Sequence, residues 1–235
     1  MERCSISVKM VLMKKRLHRT ERRTDALSKQ RIIEAAIEIL DEGGEDALTF
    51  RALAARLATG AGAIYWHVTD KDELLAAATD DVIGRVMIEI ARDAEPRDTI
   101  RAIALGLFDA IDAHPWAGAQ LSRAPWQPAV GQIFESIGGR LDAFDIPEQA
   151  QFDAASALIH YILGAAGQNA ANASLAPPDT DRATFLSGMI AQWTAPDPTG
   201  FPFLRRIAAR FHEHDDREQF LAGVDLILAG IGSVR

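Results

Sequence analysis

The chain has 235 residues, 48% hydrophobic and 25% charged, so it can bury a core and is neither disordered overall nor divided into many domains. Its single cysteine, Cys4, excludes an internal disulfide framework, and no Cys/His spacing fits a zinc site. The net charge is -8, yet residues 1–31 carry ten Lys and Arg against three acids, whereas residues 72–235 carry twelve Arg, no Lys and twenty-three acids. A basic N-terminal segment followed by an acidic remainder predicts that the N-terminal segment binds a polyanion.

The first predicted helix spans about residues 25–42 and is ended by the pair Gly43-Gly44. Its apolar residues recur at the i, i+3, i+4, i+7 spacing of one helix face: Ile33, Ala36, Ile37 and Leu40. A second helix of about two turns follows Thr49, a candidate N-cap. After the break at Thr59-Gly60, residues 61–67 predict a third short helix.

A long fourth helix is predicted over about residues 70–94. Asp70 is its candidate N-cap and Glu73 stands at the third helical position, the acidic form of a capping box. The rest of the chain also reads as helical, since no strand-like alternation persists. Its segments are separated by prolines, namely Pro96, Pro115, Pro125, Pro128, Pro147, Pro177, Pro178, Pro196, Pro198 and Pro202.

Two short helices joined by a tight turn and supported by an amphipathic first helix form a helix-turn-helix arrangement. A helix of this size fits the major groove of B-DNA, where base edges present distinct donors and acceptors. Residues 48–54 (LTFRALA) and 64–75 (IYWHVTDKDELL) resemble the DNA-binding domain of the TetR family of repressors. The predicted fold is therefore all-α, with a basic extension at 1–24, a helix-turn-helix domain at 25–80 and a helical effector-binding and dimerisation domain at 81–235.

The resemblance implies DNA contacts around the second and third helices. Arg51 would reach a guanine edge or a phosphate, and Lys71 a phosphate. Tyr65 and His67 would reach backbone phosphates or a thymine methyl, whereas Trp66 has packing against the first helix as an alternative. The predicted DNA-binding set is Thr49, Arg51, Ala61, Gly62, Ala63, Tyr65, Trp66, His67 and Lys71.

Around His114-Pro115-Trp116 the body resembles the ligand-binding domain of the tetracycline-repressor branch, which implies an effector pocket and a dimer interface. The predicted pocket is mostly apolar and suits a flat or lipophilic molecule. Its predicted lining is Phe108, Ile111, His114, Trp116, Leu121, Trp126, Phe134, Ile137, His160, Tyr161, Asn169 and Trp193. The interface would pair a helix rich in small residues, about 152–172, with the last apolar segment in a four-helix bundle. Its predicted members are Ala157, Tyr161, Gly164, Ala165, Leu221, Val224 and Leu228.

The sequence thus predicts a cytoplasmic, ligand-responsive repressor that binds a palindromic double-stranded DNA operator as a homodimer and is released by a small effector. No cofactor, metal or membrane partner is expected, and residues 212–216 (HEHDD) are interpreted as a solvated surface rather than a metal cluster. A helical enzyme using His114, His160, Asp109 and Asp112 is the main alternative, but no nucleophile is paired with a base. A DNA-binding protein without a ligand is the other alternative. The large aromatic-rich segment that follows the helix-turn-helix domain argues against it, because such a protein would not need it.

Overall fold

The structure, a computed structural model, describes residues 27–89, 94–175, 182–195 and 200–233. Within these ranges every regular element is helical, which confirms the all-α prediction. The chain divides into two compact units, with the boundary between Leu74 and Leu75. The predicted basic extension at 1–24, and the predicted start of the first helix at Asp25, lie outside the described residues.

The first unit contains α1 (Lys29–Ala47), α2 (Phe50–Arg56) and α3 (Ala61–Tyr65), followed by the first turn of α4 (Lys71–Glu89). The Ser28 hydroxyl caps α1 by accepting from the Arg31 N–H at 3.2 Å, so the helix begins later than the sequence predicted. The glycine pair does not end α1, because Gly44 adopts φ 67° and bends the helix, which then continues to Ala47. The core of this unit is built from Ile32, Ile33, Ala36, Leu40, Leu48, Leu53, Ile64, Val68 and Leu74.

The capping of α2 and α4 follows the sequence prediction. The Thr49 hydroxyl accepts from the Ala52 N–H at 3.1 Å, and the Asp70 carboxylate accepts from the Glu73 N–H at 2.8 Å. The Glu73 carboxylate reaches back to the Thr69 N–H at 2.8 Å, one residue earlier than in the usual capping box. Described α4 ends at Glu89, and the predicted continuation over 90–93 lies outside the described residues.

The second unit comprises the remainder of α4 and seven further described helices. These are α5 (Pro96–Ala113), α6 (Pro115–Arg123), α7 (Pro128–Leu141), α8 (Glu148–Leu175), α9 (Arg182–Thr194), α10 (Pro202–Glu213) and α11 (Asp216–Ile231), with a 3-10 turn at Asp142–Phe144. Proline occupies the first turn of α5, α6, α7 and α10, where its missing N–H costs no hydrogen bond.

Helix α8 is the centre of the second unit, since it packs against α5, α6, α7 and α11, whereas α9 packs against α10. Polar contacts tie the outer helices together: Arg217 binds Asp109 in a bidentate ion pair, and Arg101 pairs with Asp225. The Asp80 carboxylate of α4 accepts from the Ala129 N–H at 2.8 Å at the start of α7. Burial raises the pKa of this Asp80 carboxyl, and the Ala129 N–H opposes the rise. Among the described helices, none is long and apolar enough to cross a membrane.

Candidate DNA-binding surface and ligand cavity

The turn between α2 and α3 sets the direction of the second short helix. Leu57 ends α2, and Ala58 takes a left-handed conformation with φ 50°. The Thr59 N–H then donates to the Ala54 carbonyl at 3.0 Å, which closes the turn. The residue with positive φ in this turn is therefore Ala58 and not the nearby glycine. Gly60 has an extended backbone and precedes α3 as its N-cap residue.

The outward face of α2 and α3 carries aromatic and basic side chains that the unit does not bury. The Tyr65 ring stacks on the Phe50 ring with centroids 4.3 Å apart, which fixes α3 against α2 while leaving Tyr65 53% exposed. Trp66 is 89% exposed, so the alternative in which it packs against the first helix is wrong. Large exposed aromatics on a small unit mark a binding surface.

Two arginines on α2 have different surroundings. The Arg56 guanidinium is held against α1 by Glu38 at 2.9 Å and by Glu42. These carboxylates raise the pKa of Arg56, and its hydrogen bond lowers the pKa of Glu42. Arg51 is exposed and forms no ion pair within the described residues. Arg51 is therefore the guanidinium available to a polyanion, and Arg56 is structural.

The remaining predicted DNA-contact residues lie on the same unit. Ala61 and Gly62 are exposed, and Ala63 and His67 are half-buried. The Lys71 ammonium donates to the Glu45 carbonyl at 2.6 Å at the end of α1. This bond fixes Lys71 in place and uses one of its three N–H donors, a role that the sequence did not indicate.

A cavity of about 850 Å³ lies in the second unit. Its lining comes from α5, α8, α9 and the junction of α10 with α11: Phe108, Asp109, Asp112, Tyr161, Ala165, Gln168, Asn169, Asn172, Ala173, Phe185, Leu186, Met189, His214, Asp215, Asp216, Arg217, Gln219 and Phe220. The volume falls in the range of small-molecule sites. Burial raises the pKa of the Tyr161 hydroxyl, which donates to the Phe220 carbonyl at 3.0 Å.

Three of the predicted pocket residues line this cavity, namely Phe108, Tyr161 and Asn169. The others lie elsewhere. Ile111, Trp116, Leu121 and Ile137 are buried, and Phe134 packs against the core beside them. His114 meets Trp116 edge to face at 5.9 Å, His160 is exposed, and Trp126 and Trp193 are 81% and 42% exposed. Apolar periodicity selected core positions here, because a core and an apolar pocket produce the same sequence pattern.

The charged part of the lining was not predicted as pocket. Asp109 and Asp112 entered only the enzyme alternative, and 212–216 was interpreted as solvated surface, yet His214, Asp215 and Asp216 line the cavity. No group of three or more metal-binding side chains occurs in the part of the chain that the structure describes.

The predicted dimer residues divide between surface and core. Ala157 and Gly164 are exposed on α8, with Ala165 and Tyr161 half-buried beside them, and Leu221 is half-buried on α11. Val224 and Leu228 are buried in the core of the chain itself, at 0% and 1% exposure. Their burial within one chain corrects their assignment to an interface, and the exposed side of α11 carries Leu226 instead.

Comparison with known proteins gives the family. Residues 32–78 match the family model described as bacterial regulatory proteins, tetR family. The solved structure of the transcriptional regulator SCO7222, a TetR from Streptomyces coelicolor, is similar to this chain with 51% identity and a TM-score of 0.80, over 89% of this chain and 99% of that one. The chain therefore belongs to the TetR family, as its sequence predicted.

Two further relatives extend the comparison. A protein of Saccharopolyspora erythraea named as an HTH-type transcriptional regulator is 34% identical over 59% of this chain, which spans 59% of that relative's length. ActR from Streptomyces coelicolor, solved in complex with actinorhodin, is 25% identical with a TM-score of 0.69, over 88% of this chain and 97% of ActR. Because the family consists of transcriptional regulators, the prediction that the chain is not an enzyme is confirmed.

Proposed function

We propose that the protein is a homodimeric repressor that reads a palindromic operator with α2 and α3 and leaves it when a small aromatic effector occupies the cavity of the second unit. The observation that carries the proposal is the exposed face of the helix-turn-helix, where Arg51 has no ion-pair partner among the described residues and Tyr65 and Trp66 are exposed. A guanidinium and a phenol placed beside a short helix suit base edges and phosphates.

A second copy of the chain would cover the outer side of α8 and α11. Ala157, His160 and Gly164 lie along the exposed side of α8, and Leu226 on α11 is 75% exposed. At Gly164 no heavy atom lies within 4 Å of the position that a Cβ would take, so the surface is open to close helix approach. Two such helices from each copy would bury this surface in a four-helix bundle, and the dimer would carry one α3 helix for each half-site of a palindromic operator, whose half-sites lie about 34 Å, one turn of B-DNA, apart.

The route from effector to DNA would run through α4, which is continuous across the boundary between the two units. Its Asp80 caps the start of α7, and Val86 fills the space above Gly106 of α5, so any shift of α5 or α7 bears on α4. The relative ActR, named in complex with actinorhodin, supports a small-molecule ligand for this chain. An effector that prefers a different position of α4 would lower operator affinity by linkage.

The test is operator binding by fluorescence anisotropy, using the intergenic DNA beside the gene at two salt concentrations with scrambled competitor DNA. The Arg51→Ala variant should lose about 1–3 kcal/mol of operator binding, and Tyr65→Phe should lose less because only one hydroxyl contact is removed. Both variants should remain folded, because neither side chain donates a hydrogen bond within the described structure.

The matched control is Arg56→Ala on the same helix. Its guanidinium faces Glu38 and Glu42, so the variant should bind the operator as the wild type does, and it should lose little stability because the ion pairs are exposed to solvent. Unchanged operator affinity in both Arg51→Ala and Tyr65→Phe would exclude this face as the reading surface. Binding that is blind to sequence and falls steeply with salt would contradict a palindrome-specific repressor.

A further inference from the structure

We infer that α3 identifies the operator mainly through the C5-methyl groups of thymine, with Ala61 as the residue that contacts them and Gly62 as the point of closest approach to the DNA. The inference rests on the proposed operator binding and names the chemical feature of the DNA that α3 recognises. It is carried by the side chains that the exposed face of α3 presents and by those that it lacks.

The exposed face of α3 carries no side chain that can form paired hydrogen bonds with a base. The helix has five residues, of which Ala61, Gly62 and Tyr65 are exposed, Ala63 is half-buried and Ile64 is fully buried. Paired hydrogen bonds to guanine come from arginine or lysine, and those to adenine come from asparagine or glutamine. Helix α3 contains none of these residue types, so it distinguishes base pairs by other contacts.

Apolar contact with thymine is the base contact that remains open to this face. Thymine is the base that presents a methyl group in the major groove, and an alanine methyl packs against it. Ala61 is exposed in the first turn of α3, the end at which a recognition helix contacts base edges. Tyr65 adds a single hydroxyl at the other end, where its ring is stacked on Phe50. Ala61 is therefore the residue placed to contact a thymine methyl group.

Gly62 is a glycine that the chain itself does not require. It lies inside a helix, where glycine is less stable than alanine. Its φ is not positive, so the backbone conformation accepts any residue with a Cβ. Beyond its own helix backbone and neighbours, no heavy atom lies within 4 Å of the position that a Cβ would take. The bare backbone at this exposed position lets the base edges come close to α3, which brings Ala61 within contact of them.

Arg51 supplies the polar contact that α3 lacks. It is exposed on α2 and forms no ion pair within the described residues. One guanidinium binds one guanine edge or one phosphate and has no need of a thymine methyl group. Arg51 thus contributes to operator affinity independently of Ala61, and its replacement provides a control.

The test replaces thymine by deoxyuridine, which lacks the C5-methyl group and keeps every Watson-Crick hydrogen bond. The operator is located in the intergenic DNA by footprinting with the full-length protein. Fluorescence anisotropy then compares the natural duplex, a duplex with deoxyuridine in both half-sites, and a duplex with deoxyuridine outside them. Substitution in the half-sites should weaken binding at least about tenfold, because each half-site loses a buried methyl contact. Substitution outside them should leave the affinity unchanged.

Protein variants connect the methyl effect to α3. The ratio of the affinities for the thymine and deoxyuridine half-sites should approach one in Ala61→Gly. It should keep the wild-type value in Arg51→Ala, which weakens both complexes alike. Circular dichroism of each variant verifies the fold.

Gly62→Ala tests the close approach and strengthens the helix at the same time. It should raise the melting temperature by about 2 °C, since alanine favours the helix. It should nevertheless weaken operator binding at least about tenfold, because the added Cβ keeps the base edges away from α3. The matched control is Gly139→Ala on α7, which adds the same group at an exposed position and should bind the operator as the wild type does.

Four results would each overturn the inference: half-sites without thymine, equal affinity for the natural and half-site-substituted operators, a wild-type affinity ratio in Ala61→Gly, or wild-type operator affinity in Gly62→Ala. The proposed function fails on a different result, namely a wild-type protein that binds no DNA sequence specifically, and the inference fails with it. Specific binding that is indifferent to the methyl groups leaves the regulator in place and shows that α3 recognises the operator in another way.

Discussion

The Glu73 carboxylate holds three separate parts of the DNA-binding unit together. It accepts from the Thr69 N–H and hydroxyl, both at 2.8 Å, and pairs with the Lys29 ammonium of α1 at 2.9 Å. The Thr69 N–H, followed by Lys29 and the Thr69 hydroxyl, lowers the pKa of Glu73 from 4.5 to about 2. One side chain therefore fixes the start of α4 relative to α1.

This arrangement makes the unit sensitive to acid. Because the folded-state pKa lies below the unfolded value, ionised Glu73 stabilises the fold fully above about pH 4.5, and this contribution is lost as pH falls from 4.5 towards 2. Glu73→Gln should lower the free energy of unfolding by about 1 kcal/mol at pH 7, the usual size of a capping interaction. The difference from wild type should shrink as the pH drops below 4.5, measured by urea denaturation followed by circular dichroism.

Glu89→Gln is the matched control, since Glu89 is exposed at the other end of α4. It should leave both the stability and its pH dependence close to wild type. A Glu73→Gln variant that loses the same stability at pH 3 as at pH 7 would show that the carboxylate charge is not what the contacts use.

Single residues also show what sequence can and cannot predict. The caps Thr49 and Asp70 were predictable because a short polar side chain before an apolar periodic run has one strongly favoured role. The difference between Arg51 and Arg56 was not, since both lie outside the apolar spacing of α2 and only the position of α1 puts Glu38 and Glu42 beside one of them. The local sequence pattern is enough to predict a helix cap. Only the tertiary packing shows that Arg56 is paired with α1 whereas Arg51 is not.

At the scale of elements, the joint between α8 and α11 depends on one glycine. Tyr161 of α8 lies directly over Gly223 of α11, where a Cβ would overlap its hydroxyl and ring. The same ring stacks on Phe220 and donates to the Phe220 carbonyl at 3.0 Å. The absence of a side chain at 223 therefore permits the close approach of α8 and α11.

Gly223→Ala should lower the free energy of unfolding by about 1–3 kcal/mol, the cost of overpacking, because Tyr161 must leave Phe220. Thermal melting of the purified protein would measure the loss. Gly139→Ala, in α7, is the control: a Cβ there meets no atom within 4 Å, so the variant should be neutral or slightly more stable. In the double variant Gly223→Ala/Tyr161→Ala the two losses should be less than additive, and strict additivity would argue against the clash.

The helix boundaries of the second unit were largely predictable, because proline is tolerated in the first turn of a helix and disrupts later ones. Pro96, Pro115, Pro128 and Pro202 each stand at the start of a helix. The behaviour of Gly44 was not predictable, since a glycine with positive φ can either end a helix or bend it.

At the scale of the whole chain, the family and the all-α fold were predictable and the cavity was not. The helix-turn-helix gives several residue types at fixed spacing, so its pattern is specific. The cavity is formed where α5, α8, α9 and α11 meet, and its charged lining has the sequence pattern of a solvated helix face. Which of the charged helix faces lines a cavity depends on how helices distant in sequence pack against each other. The spacing of residues along a single helix does not contain that information.

The same reasoning applies to the surface that we propose pairs two chains, and Gly164 provides its test. Gly164→Leu adds a side chain where the structure leaves open space, so the single chain should fold normally while a second copy can no longer approach α8 closely. The dimer dissociation constant should rise at least about tenfold, which corresponds to 1.4 kcal/mol, as measured by analytical ultracentrifugation.

The matched control for this test is Gly139→Leu, which adds the same side chain to an exposed position of α7. It should leave dimerisation unchanged. Operator affinity should fall with dimerisation in Gly164→Leu, because one chain carries one recognition helix and contacts one half-site. A Gly164→Leu protein that remains a wild-type dimer would place the interface on another face. A monomer that still binds the full palindrome with wild-type affinity would show that the two half-sites are not read together.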